Sequence, residues 1–134
     1  MKKVWIVGPC SMESIDFYLE SARTIYKAMK GRDWYFKASY DKANRTSLYG
    51  GRGPGMEEGI EAFKLVKQEF PDIKLLTDLH ETNQVEPLAE YIDCIQIPAF
   101  LCRQTDLIVE CARHFDKINV KKDSGSARIT LLNL

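Results

Sequence analysis

An α/β fold on a parallel sheet is what this sequence predicts, from two periodicities that take turns along it and from the absence of any break between them. Short apolar runs alternate with stretches of helical spacing in the order β-α-β-α-β-α-β-α-β. No linker, repeat or low-complexity tract interrupts the 134 residues, so they are read as part of one domain. Right-handed βαβ crossovers then give a parallel sheet covered by helices.

The expected strands are "VWIVG" (4–8), "WYFKAS" (34–39), "IKLLTDL" (73–79), "CIQIPAF" (94–100) and "KINVK" (117–121). Each is short, rich in β-branched or aromatic residues and bounded by polar residues, Gly or Pro, as buried parallel strands are. Between the first two, Ile15, Leu19, Ala22, Tyr26 and Met29 form one helical stripe that stops before Gly31, with Ser14 as its cap. Met56, Ile60, Phe63, Val66 and Phe70 form the second stripe, ahead of "PD". A shorter helix is expected over 83–91, and a last one carries Leu107, Ile108, Cys111, Ala112 and Phe115.

Composition narrows the function classes. The sequence is 45% hydrophobic and 28% charged, which suits a packed core. Nineteen basic and nineteen acidic side chains cancel, which argues against a nucleic-acid or membrane-surface binder and makes any anion affinity local. The apolar run in "MKKVWIVGPC" is too short for a secretory leader, and no stretch approaches a membrane span. Cys10, Cys94, Cys102 and Cys111 form no CxxC pair, so free thiols in a reducing cytoplasm are expected.

"GPCSMES" follows the first strand where a dinucleotide-binding fold places GxGxxG, so a (β/α)₈ barrel is favoured over an open doubly wound sheet. Five strands make only part of a barrel that closes with eight. In either architecture ligands bind at the carboxyl ends of the strands, and the residues expected there form a set. They are Cys10; Lys37, Lys42 and Arg45; Asp78, His80 and Glu81; Gln96, Ala99 and Arg103; Lys121 and Lys122. Cations dominate, with one acidic patch, which suits small phosphorylated and hydroxylated molecules. Plainer readings stand beside this one: solvated loop lysines, a buried structural thiol at Cys10, a hydrogen-bonded His80 without chemistry, and a surface His114. "GGRGPG" (50–55) is either an anion-binding nest or simply a loop that turns easily into the next helix.

The blocks "FKASYDKANRTS", "RGPGMEEG", "TDLHE", "IQIPAFLCRQTDL" and "INVKK" closely resemble the 3-deoxy-D-manno-octulosonate 8-phosphate (KDO-8-phosphate) synthase family, from about residue 4 to residue 122. The related heptulosonate-phosphate synthases share a GPCS-like motif, but typically read KPRTS where this chain reads "KANRTS". The resemblance implies a (β/α)₈ barrel that condenses phosphoenolpyruvate with D-arabinose 5-phosphate and water in lipopolysaccharide biosynthesis. It implies Lys37, Lys42 and Lys121 as phosphoenolpyruvate cations, with Gln96 and the Ala99 backbone beside them. Asn44, Arg45 and Thr46 are similar to the pentose-phosphate grip, Thr46 standing where the family usually has Ser. Asp78 is similar to the carboxylate that meets the sugar hydroxyls, and Arg103 to part of the same rim.

"GPC" resembles the metal-dependent form of the family, with Cys10 as a ligand of a divalent ion of the zinc, iron or manganese type. The family's other metal ligands have no counterparts in this sequence, and its members assemble as homotetramers. Residues 1–122 are thus expected to be the first five strands of one barrel. Residues 123–134, "DSGSARITLLNL", do not align and are expected to be a frameshifted or truncated end. Within them "ARITLLNL" has the pattern of a strand able to pair with an open sheet edge. The alternative function is an inactive remnant or a phosphosugar-binding fragment, with a 3-deoxy-D-arabino-heptulosonate 7-phosphate synthase ranked behind these.

Overall fold

A computed structural model describes residues 4–40, 55–97, 105–121 and 129–133. They fall into two compact units, Met1–Leu75 and Leu76–Leu134.

In the first unit, β1 (Trp5–Ser11) and β2 (Trp34–Ser39) pair in parallel, with Trp5 opposite Trp34 and Cys10 opposite Ala38. The register shifts between Val7 and Cys10. Gly8 explains why: a Cβ there would lie 1.7 Å from the Lys37 carbonyl oxygen, so only glycine lets the backbones approach this closely. Contrary to the expectation of a buried strand, β1 is mostly half-exposed, and Trp5 is open to solvent. Its only strand partner among the described residues is β2.

Helix α1 (Ile15–Ala28) begins where Ser14 Oγ accepts from Phe17 N–H at 3.1 Å, as the sequence predicts. It ends at Met29, and Gly31 takes a φ of +83°, in the left-handed region open to glycine. Helix α2 (Gly55–Glu69) carries buried Ala62, Phe63 and Val66. Tyr18 of α1 packs on Phe36 of β2 and Phe63 of α2 at ring distances of 5.0 and 5.7 Å. Tyr26 stacks on Phe70 at 4.2 Å. The helix-facing side of β2 is therefore Trp34, Phe36 and Ala38, and Lys37 stands on the other side with Tyr35 and Ser39. Full burial of one such aromatic is worth roughly 1.5–3 kcal/mol. Ion pairs stay outside this core: Arg23 binds Glu69 through two bonds of 2.7 and 2.8 Å, and Lys74 meets Asp33 at 2.6 Å.

The second unit, which takes all but the first residue of β3 (Leu75–Asp78), is built on β3, β4 (Cys94–Ile97) and β5 (Lys117–Lys121), paired in parallel in chain order. Helices α3 (Val85–Ala89) and α4 (Thr105–His114) connect them, burying Val85, Leu88, Leu107 and Cys111. Periodicity predicts one helix over 83–91; instead a 3₁₀ turn, Thr82–Gln84, precedes a shorter α3. The cause is Gln84, whose Oε1 accepts from the backbone N–H of both His80 and Glu81. That reciprocal capping box draws the first turn tight. A sixth strand, β6 (Ile129–Asn133), pairs antiparallel with β5, Lys121 opposite Ile129 and Lys117 opposite Asn133. The edge-pairing expected of "ARITLLNL" is thus observed.

Candidate active site

Parallel pairing places the carboxyl ends of neighbouring strands together, and each unit can be followed to that end.

In the first unit the end of β1 is strained. Cys10 has a φ of 71°, a left-handed conformation that costs a non-glycine residue about 1 kcal/mol or more. It follows directly on the shifted register around Gly8, and its thiol is exposed. Lys37, half-buried, precedes the Ala38 that Cys10 faces. The bulge therefore re-aims Cys10 beside the strand that carries Lys37. Among the described residues no group of three His, Cys, Asp or Glu side chains is assembled to hold a metal ion. A lone thiol does not make a zinc-type site, which needs three or four ligands, so the described residues do not fit the expected ion. A separate cleft of about 670 Å³ between Arg23, Tyr26, Lys30, Trp34 and Phe70 lies at the opposite, amino end of β2.

The second unit contains the more informative constellation. Asp78, Gln96 and Asn119 are register partners across β3, β4 and β5, so their side chains leave one face of the sheet as a row. Gln96 is 5% exposed and Asn119 1%. Asn119 Nδ2 donates to Gln96 Oε1 at 3.0 Å. The Asp78 and His80 side chains are only 13% and 11% exposed, with His80 Nε2 3.9 Å from Asp78 Oδ2. Gln84 secures the turn on which His80 sits by accepting from its N–H at 2.8 Å. The neighbouring positions Thr77, Ile95 and Ile118 point to the opposite face and are fully buried.

Three buried atoms in this cluster have no hydrogen-bond partner among the described residues: Asp78 Oδ1, His80 Nδ1 and Asn119 Oδ1. Leaving such a group unpaired costs about 1–3 kcal/mol. Concentrated at the end of β3 and on one face of β3–β5, these atoms leave hydrogen-bonding capacity that a polar ligand could use. The nearby thiols take no part. Burial pushes Cys94 up to about 12, and Asp93 adds to this while Lys117 opposes it; burial, then Glu110, pushes Cys111 up to about 11. Both are inert, protonated core groups at neutral pH.

The structure thus brings Asp78 and Gln96 into one row, and in the other unit places Cys10 and Lys37 on paired strands. Lys121 closes β5, one of the strands bearing the row. Lys42, Asn44, Arg45, Thr46, Ala99 and Arg103 lie outside the described residues. The sequence reading missed Asn119 and Gln84. For Asn119 a signal existed, a polar residue between Ile118 and Val120 in a strand otherwise suited to burial. His114 lies on the exposed flank of α4, paired with Glu110 at 3.1 Å, as the plainer reading has it.

The profile of the DAHP synthetase I family matches residues 1–131. The chain belongs to this family. Its (β/α) barrel class agrees with the parallel pairing within each unit. The chain is 49% identical over 123 residues to the 2-dehydro-3-deoxyphosphooctonate aldolase of Campylobacter jejuni subsp. doylei, covering 90% of this chain and 46% of that protein. It is 51% identical over 121 residues to the protein of the same name from Wolinella succinogenes, covering 89% and 46%. With the Helicobacter pylori protein of that name the figures are 50% over 123 residues, 90% and 44%. The chain therefore spans about half the length of these curated relatives. No helix among the described residues is long and apolar enough to cross a membrane.

Proposed function

We propose that the protein to which this chain belongs condenses phosphoenolpyruvate with D-arabinose 5-phosphate and water, releasing inorganic phosphate and 3-deoxy-D-manno-octulosonate 8-phosphate. The observation that carries this reading is the buried, in-register row Asp78–Gln96–Asn119 with its unpartnered acceptors. The names of relatives about half identical to the chain support the same reaction. "KANRTS" favours arabinose 5-phosphate over erythrose 4-phosphate, the acceptor in the heptulosonate reaction.

In the reaction, carbon three of phosphoenolpyruvate attacks the aldehyde and water adds at carbon two. Negative charge grows on the aldehyde oxygen, while carbon two takes on positive character. Fixed dipoles and charges stabilise such changes without reorganising. Lys37, Lys42 and Lys121 supply cations to phosphoenolpyruvate, and Gln96 and the Ala99 backbone add hydrogen bonds. Asn44, Arg45 and Thr46 grip the pentose phosphate with Arg103 at the rim, and Asp78 accepts from the sugar hydroxyls. Cys10 stands as ligand to a divalent ion only if other parts of the protein complete the site, so no step is assigned to a metal. A homotetramer in the cytoplasm belongs to the same proposal.

The test supplies the purified whole protein with phosphoenolpyruvate, a divalent metal and either aldehyde. Phosphate release with arabinose 5-phosphate and none with erythrose 4-phosphate is expected. Preference for erythrose 4-phosphate would move the protein to the heptulosonate reaction. Binding of arabinose 5-phosphate without any turnover would instead establish a phosphosugar-binding remnant.

A further inference from the structure

We infer that Asn119 is a positioning residue: it locks the Gln96 side-chain amide with its nitrogen, not its oxygen, left for the anionic reactant. This rests on the proposed role of Gln96 toward phosphoenolpyruvate. A glutamine amide has two unlike ends, a carbonyl that accepts and an NH₂ that donates. A site for a carboxylate or phosphate needs the donor end, because a carbonyl oxygen turned toward an anion repels it. Nothing within glutamine selects that end; its neighbours must.

Two neighbours agree here. On one side Asn119 Nδ2 donates to Gln96 Oε1 at 3.0 Å, and both side chains are almost fully buried. This uses an acceptor site on Gln96 and leaves both Nε2–H donors. On the other side stands Asp78, register partner of Gln96 and carrier of the buried, unpartnered Oδ1. A carboxylate offers only acceptors, so a Gln96 turned with its oxygen toward β3 would set acceptor against acceptor. Asp78 thus disfavours the reversed amide without taking up its donors, since its Oδ1 has no hydrogen-bond partner among the described residues. Asn119 Oδ1 is the atom left over at the end of the row, and it too is observed without a partner among them.

Asn119→Asp is the decisive change, because it is nearly isosteric yet replaces the donor by an acceptor. Gln96 must then rotate its amide to donate to the new carboxylate, turning its carbonyl outward. In the ¹⁵N-labelled whole protein without ligand, Asn119 Nδ2–H should exchange slowly and Gln96 Nε2–H quickly. In Asn119→Asp, Gln96 Nε2–H should become the protected group. Phosphoenolpyruvate affinity should fall about tenfold or more, as expected for a lost bond to a charged group. Arabinose 5-phosphate affinity should fall clearly less over the same substitution, since Asp78 itself is kept and only the amide beside it is reversed. A merely structural Asn119 would weaken both ligands alike and leave the exchange pattern of Gln96 as it was.

Slow exchange of Gln96 Nε2–H in the unliganded wild-type protein would overturn the inference, and this reading needs neither a variant nor a ligand. Unchanged phosphoenolpyruvate affinity in a folded Asn119→Asp protein would overturn it equally. If the wild-type protein shows the expected exchange pattern but does not bind phosphoenolpyruvate, the proposed reaction fails while the amide orientation stands.

Discussion

In Met1–Leu75 the buried side chains include the rings of Tyr18, Trp34, Tyr35, Phe36, Tyr40 and Phe63, and the charged pairs lie outside them at the surface. In Leu76–Leu134 aliphatic side chains line one face of the strands, while the other carries a buried polar row in which Asp78 Oδ1 and Asn119 Oδ1 have no partner among the described residues. Packing of the first kind maximises burial, even where it leaves the Tyr18 hydroxyl buried without a hydrogen-bond partner among the described residues. The second arrangement gives up stability wherever a polar atom waits without a partner. The difference teaches that the two regions bury polar groups differently: the first keeps its charged pairs at the surface, and the second sets polar side chains abreast inside the sheet.

The largest effect should come from the first region, where one substitution opposes backbone to backbone. Gly8→Ala places a methyl 1.7 Å from the Lys37 carbonyl oxygen, and β1 must separate from β2 to admit it. A loss of more than about 4 kcal/mol is expected, read as loss of the cooperative transition in denaturant. Phe63→Ala follows. It removes the ring against which Tyr18 and Tyr40 make edge contacts, at an expected cost of about 3–5 kcal/mol.

The comparison is sharpest at the polar row. Gln96→Met keeps the volume but leaves the Asn119 amide unpaired, which should destabilise by about 1–3 kcal/mol. The double change Gln96→Met with Asn119→Leu should recover most of that loss or exceed wild-type stability, while abolishing any phosphoenolpyruvate binding. A double variant as unstable as the sum of its parts would show that the row is structural after all.

A pH titration separates the regions more gently. The folded-state values of Cys94 and Cys111 lie above the ordinary 9.0, because burial disfavours the thiolate. Unfolding frees these groups to ionise, so their contribution is intact below pH 9 and is lost as pH rises toward about 11 and about 12. Burial raises Tyr18 in the same sense, from 10.0, so the first region should weaken later. Hydrogen exchange followed in each unit between pH 8 and 10.5 should show the second opening first. The smallest effect is reserved for Arg23→Ala. Glu69 holds that guanidinium above its usual value, but both partners face solvent, so the melting temperature should barely move.

Much of the fold was legible before any coordinates. The run "WYFKAS" becomes β2 and "KINVK" becomes β5 without a change of boundary. Ser14 caps α1, because a hydroxyl at that position satisfies an amide only three residues away. β1 was less legible. Its apolar run ends at Gly8, yet pairing continues through a bulge to Ser11, since the ladder depends on β2 and not on hydrophobicity. The helix expected over 83–91 is shorter because one side chain, Gln84, competes for the backbone of its first turn. In the candidate site, Asp78 and Gln96 were expected at the ends of their strands, and β3 and β4 place them there. Asn119 was not, because its importance lies in a partner 23 residues away.

By itself the sequence determined the alternation of strands and helices, the cap, and the residue types waiting at the strand ends, since all of these follow from spacing within one segment. Tertiary structure alone decided that Asp78, Gln96 and Asn119 stand abreast, that Cys10 is held in a left-handed conformation, and that β6 covers one side of β5. Register and close approach are relations between segments. A shift of one residue in any strand would turn its side chains to the other face, and no local pattern records which partner prevents that shift.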